Sequence, residues 1–159
     1  MPPVLNAGAA TGLVIDRKTH TIRLTRDFDA PRAWVFESWT KPEHMRCWWD
    51  ASGKLLETCE IDLRVGGAFK FVTKDHPEMP FTGIYREIAP HGRLVFEAIG
   101  AIGRVLLEDK AGRTLMTVEI ECQTAEQLEQ YLKVGVDTGT SRTLDNLVAY
   151  MRKRSANVA

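Results

Sequence analysis

The side chains best suited to holding a metal or attacking a carbon are the histidines and cysteines, and their spacing decides against both. His44 and Cys47 stand three apart, so on a helix they share a face. Two ligands fall short of the three or four that zinc takes, and His20, His76 and His91 are scattered. Cys59 and Cys122 fall on apolar strand faces, where a thiol acts as a small hydrophobe. No G-x-S-x-G elbow, His-Glu-x-x-His, phosphate loop or dinucleotide fingerprint is present. The expectation is therefore no catalytic group, no metal and no cofactor.

Three other polar residues stand out. Strand parity puts Arg26 on the dry side, where a guanidinium needs a partner. Glu60, Asp62 and Glu87 are the available carboxylates. Arg26 is then either an anion-recognising group at a cavity or half of a structural ion pair. Arg64, just before Gly66-Gly67, invites the same readings, with a loop-fixing hydrogen bond favoured. Tyr85 could orient a ligand's polar group.

Aromatic residues form the most informative set. Trp48, Trp49, Phe69, Phe71, Phe81, Tyr85 and Phe96 lie on a helix pair and on neighbouring strands. They either fill a core or line a cavity, since ligand pockets are mostly apolar with a few converging polar groups. Met116, Leu147 and Met151 complete the candidate wall, with Arg26 as its charged member.

These side chains need elements to position them. From Val136 to Arg152 the residues Val136, Thr140, Leu144, Leu147, Val148 and Met151 fall into one helical stripe, while Arg142, Asn146, Arg152 and Lys153 look away. Gly139, inside this helix, either leaves space above a sheet or allows close packing. His20 to Phe28 alternates as a half-buried strand. Asp29-Ala-Pro31 opens a helix over Val35, Phe36 and Trp39, and Thr40-Lys-Pro-Glu43 reads as a capping box for a second, ending near Cys47. Strands follow over residues 55–63, 68–72, 81–88, 93–98, 104–108 and 114–122. Gly66-Gly67, Pro90-His-Gly92, a turn bracketed by Gly100 and Gly103, and Ala111-Gly112 lie between them. Thr124 caps a short helix that ends near Gly135. The order predicts an α+β fold: a curved antiparallel sheet of six to seven strands around a long C-terminal helix, with two short helices after the first strand.

Composition narrows the class. Lys plus Arg and Asp plus Glu number 21 each in 159 residues, so the net charge is zero and no basic excess marks a nucleic-acid binder. Arg152-Lys153-Arg154 suits the carbonyl end of a helix. Three cysteines without motif spacing predict no disulfide framework and a cytoplasmic setting. Residues 1–12 read as a flexible arm, neither signal peptide nor membrane anchor, ahead of one domain over 13–155. A monomer or homodimer is equally compatible with this reading.

Seven stretches stand in order along the chain: Arg26-Asp-Phe-Asp-Ala-Pro31, Trp39-Thr-Lys-Pro-Glu43, Trp48-Trp49, Glu60-Ile-Asp-Leu-Arg-Val-Gly-Gly67, Phe81-Thr-Gly-Ile-Tyr-Arg-Glu-Ile88, Arg93-Leu-Val95 and the closing segment with Gly135 and Gly139. Together they resemble the START-like or SRPBCC superfamily of helix-grip proteins, and more narrowly the family related to the C-terminal domain of the activator of the Hsp90 chaperone's ATPase. Many relatives follow the paired tryptophans with Gly-Pro, where this chain has Asp50-Ala-Ser-Gly53. The eukaryotic co-chaperone also carries a separate chaperone-binding domain, for which this chain has no room. The resemblance implies a cavity for a small apolar or amphipathic molecule. It leaves open a chaperone as partner, and a cyclase or lyase using the same cavity.

Overall fold

The computed structural model describes residues 11–158. Strands β1 (Thr11–Asp16) and β2 (Thr21–Phe28) lead into helices α1 (Arg32–Thr40) and α2 (Pro42–Met45). Strands β3 (Thr58–Ile61), β4 (Ala68–Val72), β5 (Phe81–Ala89), β6 (Arg93–Ala98), β7 (Ala101–Lys110) and β8 (Arg113–Glu121) follow. Helices α3 (Ala125–Lys133) and α4 (Val136–Val158) close the chain. The eight strands form one sheet in the order β1-β2-β8-β7-β6-β5-β4-β3. Every neighbouring pair is antiparallel. The helix pair α1–α2 carries the chain from one side of the sheet to the other, and β8 returns to lie beside β2.

Burial follows the residue pattern. Ile22, Leu24, Arg26 and Phe28 of β2 are buried, alternating with half-buried neighbours. Met116 and Val118 of β8 and Val105 and Leu107 of β7 continue the dry face. A register shift between Tyr85 and Glu87 marks a bulge in β5, and such an extra residue bends the strand and adds twist. Gly67 closes the β3–β4 turn against its own backbone: an added Cβ would lie 2.1 Å from the Asp62 carbonyl oxygen. Arg64 bonds Asp62 with Nε, 2.9 Å from Oδ2, the loop-fixing role expected of it.

Several expectations need correction. The sheet has one strand more than the six or seven expected, because Thr11–Asp16 pairs with β2. Residues 1–10 of the expected arm lie outside the described residues, and Thr11 and Gly12 belong to β1. Neither α1 nor α2 has a side-chain cap; Thr40 is buried and its hydroxyl donates back to the Phe36 carbonyl at 2.9 Å. Thr124 does cap α3, accepting from Gln127 N at 3.0 Å. Gly103 lies inside β7 and bounds no turn; the reversal falls at Ile99-Gly100, both with positive φ. The final helix continues past Arg152 to Val158, roughly 35 Å in length.

Candidate functional site

Helix α4 meets the sheet differently along its length. Toward its C-terminal end Leu147 and Met151 are buried. Ser38 Oγ on α1 donates to the Trp34 carbonyl at 3.0 Å and lies 3.2 Å from Met151 Sδ. Trp39 donates through Nε1 to Met116 Sδ at 3.3 Å, and Trp48 through Nε1 to the Ser38 carbonyl at 3.0 Å. The Trp39 and Trp48 rings meet edge-on at 4.9 Å. Arg154 extends the contact, donating to Glu37 Oε1 at 2.7 Å and lying 4.6 Å over the Trp34 ring. That hydrogen bond holds the Glu37 carboxyl below its ordinary range. His44 Nδ1 meets the Tyr150 hydroxyl, and burial is the main cause of the His44 pKa falling below its ordinary value.

The N-terminal half of α4 leaves a pocket of about 440 Å³ between helix and sheet. The helix contributes Val136, Gly139, Thr140, Thr143 and Leu144 to its wall. The sheet contributes Phe69, Phe71, Phe81, Tyr85, Leu94 and Phe96, together with the small residues Ala98, Ala101 and Gly103. Trp49, Asp50 and Ala51 close one side. The space comes from what these positions lack. A Cβ at Gly139 would meet nothing within 4 Å beyond its own helix, which selects the first of the two readings of this glycine.

Glycines on the sheet act the other way. Phe69 is paired across the ladder with Gly83, and Phe96 with Gly103. An added Cβ would fall 2.3 Å from Phe69 at Gly83 and 2.4 Å from Phe96 at Gly103. Each ring therefore lies over the neighbouring strand instead of standing up toward the helix. The lowered rings join one aromatic cluster, with Phe69 5.0 Å from Phe71 and 5.2 Å from Tyr85, and Trp49 5.0 Å from Phe81.

Of the candidate wall, the structure brings Trp49, Phe69, Phe71, Phe81, Tyr85 and Phe96 together at the pocket. It does not bring Trp48, Met116, Leu147, Met151 or Arg26 there. The first four are consumed by the packed half just described. Arg26, 3% exposed, joins β2 to α4: Nε lies 3.1 Å from Asp145 Oδ1 and Nη2 2.8 Å from Ser141 Oγ, while Nη1 donates to the Thr25 carbonyl at 2.8 Å. Its carboxylate partner is thus Asp145, and not Glu60, Asp62 or Glu87. Asn146, expected to look away, instead donates to the Asp50 carbonyl at 3.0 Å. Sequence reasoning missed Trp39, Met45, Asp50 and the small residues of the wall. The signal available for the last was the run of Gly and Ala at inward strand positions.

The pocket's chemistry is that of holding, with few groups suited to bond-making. Burial pushes the Tyr85 phenol above its usual pKa, so at neutral pH it is a hydroxyl donor. Outside the pocket, burial pushes the Cys59 thiol up to about 11, which keeps it protonated. Among the described residues no group of three or more His, Cys, Asp or Glu could hold a metal, and no described helix is long and apolar enough to cross a membrane.

Comparison with known structures gives the same architecture. A protein of Nitrosomonas europaea aligns with TM-score 0.77 at 23% identity over 86% of this chain and 96% of its own. A Rhodobacter sphaeroides protein aligns with TM-score 0.78 at 16% identity, over 91% and 99%. An AHSA1-like protein from Aeromonas hydrophila aligns with TM-score 0.68 at 22% identity, over 84% and 94%. These likenesses carry the fold alone. A search of the curated proteins finds no match. The model of the family described as activator of Hsp90 ATPase homolog 1-like protein matches residues 29–152, and the chain belongs to that family.

Proposed function

We propose that this protein binds a small apolar or amphipathic molecule in the pocket between the sheet and the N-terminal half of α4. The observation that carries this reading is the unfilled space of about 440 Å³ bounded by Gly139 and the aromatic cluster. That volume falls within the ~300–1,000 Å³ of small-molecule sites. A protein interior normally excludes such voids, because their lining loses dispersion contacts. Trp49, Phe69, Phe71, Phe81 and Phe96 supply the apolar wall, and the Tyr85 hydroxyl supplies a donor. The setting is cytoplasmic, and binding asks for neither cofactor nor metal.

Native mass spectrometry of the protein isolated from the cells that make it tests the reading. A co-purifying small molecule, lost when the pocket is filled by substitution, is the expected result. Protein that carries none, and that takes up no apolar probe, would remove the proposal.

The family description supports a second reading, an interaction that stimulates a chaperone ATPase. Leu63, Val65 and Met79, in the two loops flanking β4, are among the exposed apolar side chains open to a partner. An unchanged rate of ATP hydrolysis by the purified chaperone would end that reading.

A further inference from the structure

We propose that the pocket's ligand carries a protonated amine, seated at the Asp50 carboxylate beside the Trp49 and Phe81 rings. This rests on the small-molecule reading above and adds the chemistry of the ligand's polar end. Asp50 borders the pocket and is only 7% exposed. Its Oδ1 is satisfied, accepting from Ser52 N and Ser52 Oγ, each at 2.9 Å. Its Oδ2 is buried and meets no donor. A buried acceptor left unpaired costs free energy, and a charged one costs more.

The surrounding backbone is fixed, so the carboxylate is held in place. From α4, Asn146 Nδ2 donates to the Asp50 carbonyl at 3.0 Å, and the Thr143 hydroxyl lies between the Gly139 and Trp49 carbonyls, 3.1 Å and 3.2 Å away. The nearby Lys54 ammonium is engaged elsewhere, 2.7 Å from Asp75 Oδ1. Arg26, the buried cation of β2, is bound to Asp145 and Ser141 and does not line the pocket. The lining residues include two carboxylates and no basic side chain; Glu119 is already paired with Arg23 and Arg104, which leaves Asp50 as the one with an unmet oxygen. An ammonium satisfies the free oxygen and meets the negative faces of the adjoining rings. A carboxylate or phosphate at the same place would be repelled.

Competition against N-phenyl-1-naphthylamine, a neutral probe that fluoresces in apolar surroundings, tests this with one scaffold and three ends. The competitors are 3-phenylpropylamine, 3-phenylpropan-1-ol and 3-phenylpropanoate. On the full chain the amine should displace the probe at about tenfold lower concentration than the alcohol, with the carboxylate weakest. Asp50→Asn keeps the Oδ1 acceptor for Ser52 and should reduce the amine's advantage to less than about twofold. Probe affinity is measured separately in each protein and used to normalise the competition, and the thermal midpoint of D50N should not fall below that of the wild type, since an unpaired buried oxygen is replaced. Equal displacement by all three, or an amine preference that survives D50N, overturns the amine assignment while leaving the pocket reading intact. A wild-type chain that binds neither probe nor competitor overturns both.

Discussion

The two halves of α4 face the same sheet and end in opposite states. The C-terminal half buries Leu147 and Met151 in one cluster with Trp39, Trp48 and Met116, and the space of about 360 Å³ beside it is bordered by charged residues such as Asp27, Asp29, Arg113 and Arg152. The N-terminal half presents Gly139, Thr140 and Thr143 to Ala98, Ala101 and Gly103, and the interface is hollow. One helix therefore does two jobs. Large side chains anchor it at one end, so that small ones can hold it off the sheet at the other. The anchoring half supplies the stability that an open pocket forfeits in lost dispersion and burial.

The sharpest way to break this comparison is to truncate one aliphatic side chain to alanine in each half. Leu147→Ala, fully buried among large neighbours, should cost about 3 kcal/mol in urea or thermal unfolding. Val136→Ala, at the pocket wall and only partly buried, should cost no more than about 1 kcal/mol, since its side chain already borders space. Similar costs at both sites would mean that the two halves pack alike.

Arg26→Met should cost about 2 kcal/mol, because it strands the Ser141 and Thr25 acceptors at the junction of β2 and α4. Asp145→Ala removes an exposed carboxylate but leaves the Arg26 guanidinium, 3% exposed, without its counter-charge, so it should cost at least as much. Denaturant midpoints of the two variants rank them directly.

The glycines sharpen the contrast by sign. Gly139→Ala should stabilise the protein by up to about 1 kcal/mol, since it removes glycine from a helix interior and its Cβ enters free space. Gly83→Ala should destabilise it by about 1–3 kcal/mol, because its Cβ collides with the Phe69 ring and the Glu97 carbonyl oxygen. Opposite shifts in thermal midpoint are the expected pattern.

The smallest effect belongs to His44. Its pKa is lowered in the folded state, so the neutral imidazole is favoured there. The stability this contributes is present above the ordinary value of 6.5 and is lost as pH falls through that value toward the folded one. Unfolding free energy measured from pH 8 to pH 5 should therefore fall less in His44→Gln than in the wild type.

Much of this fold was legible because its signals are local. Alternation placed β2 and its dry face, including Arg26, and the apolar stripe placed α4. The missing strand had no such signal: Leu13 and Val14 of β1 are adjacent and both exposed, so the strand is defined by pairing with β2 and not by a buried face. The partner of Arg26 was illegible for another reason, since Asp145 is 119 residues away along the chain. Four of the candidate wall residues, Trp48, Met116, Leu147 and Met151, lie in the packed half of the interface and away from the pocket. Period says which residues point inward, but the filling depends on what stands opposite, and Trp39 facing Met116 could not be read from either residue alone. Glycine was read as punctuation, whereas Gly83 and Gly103 sit mid-strand beneath rings.

The central claim is that the N-terminal half of α4 is held off the sheet to admit a ligand. Titration of N-phenyl-1-naphthylamine into the wild type and into Gly139→Trp tests it most directly, with circular dichroism confirming that both are folded. The account predicts saturable binding of one probe per chain, weakened at least about tenfold when the indole occupies the space above Gly139. Equal binding by both proteins, or none by the wild type, would contradict it.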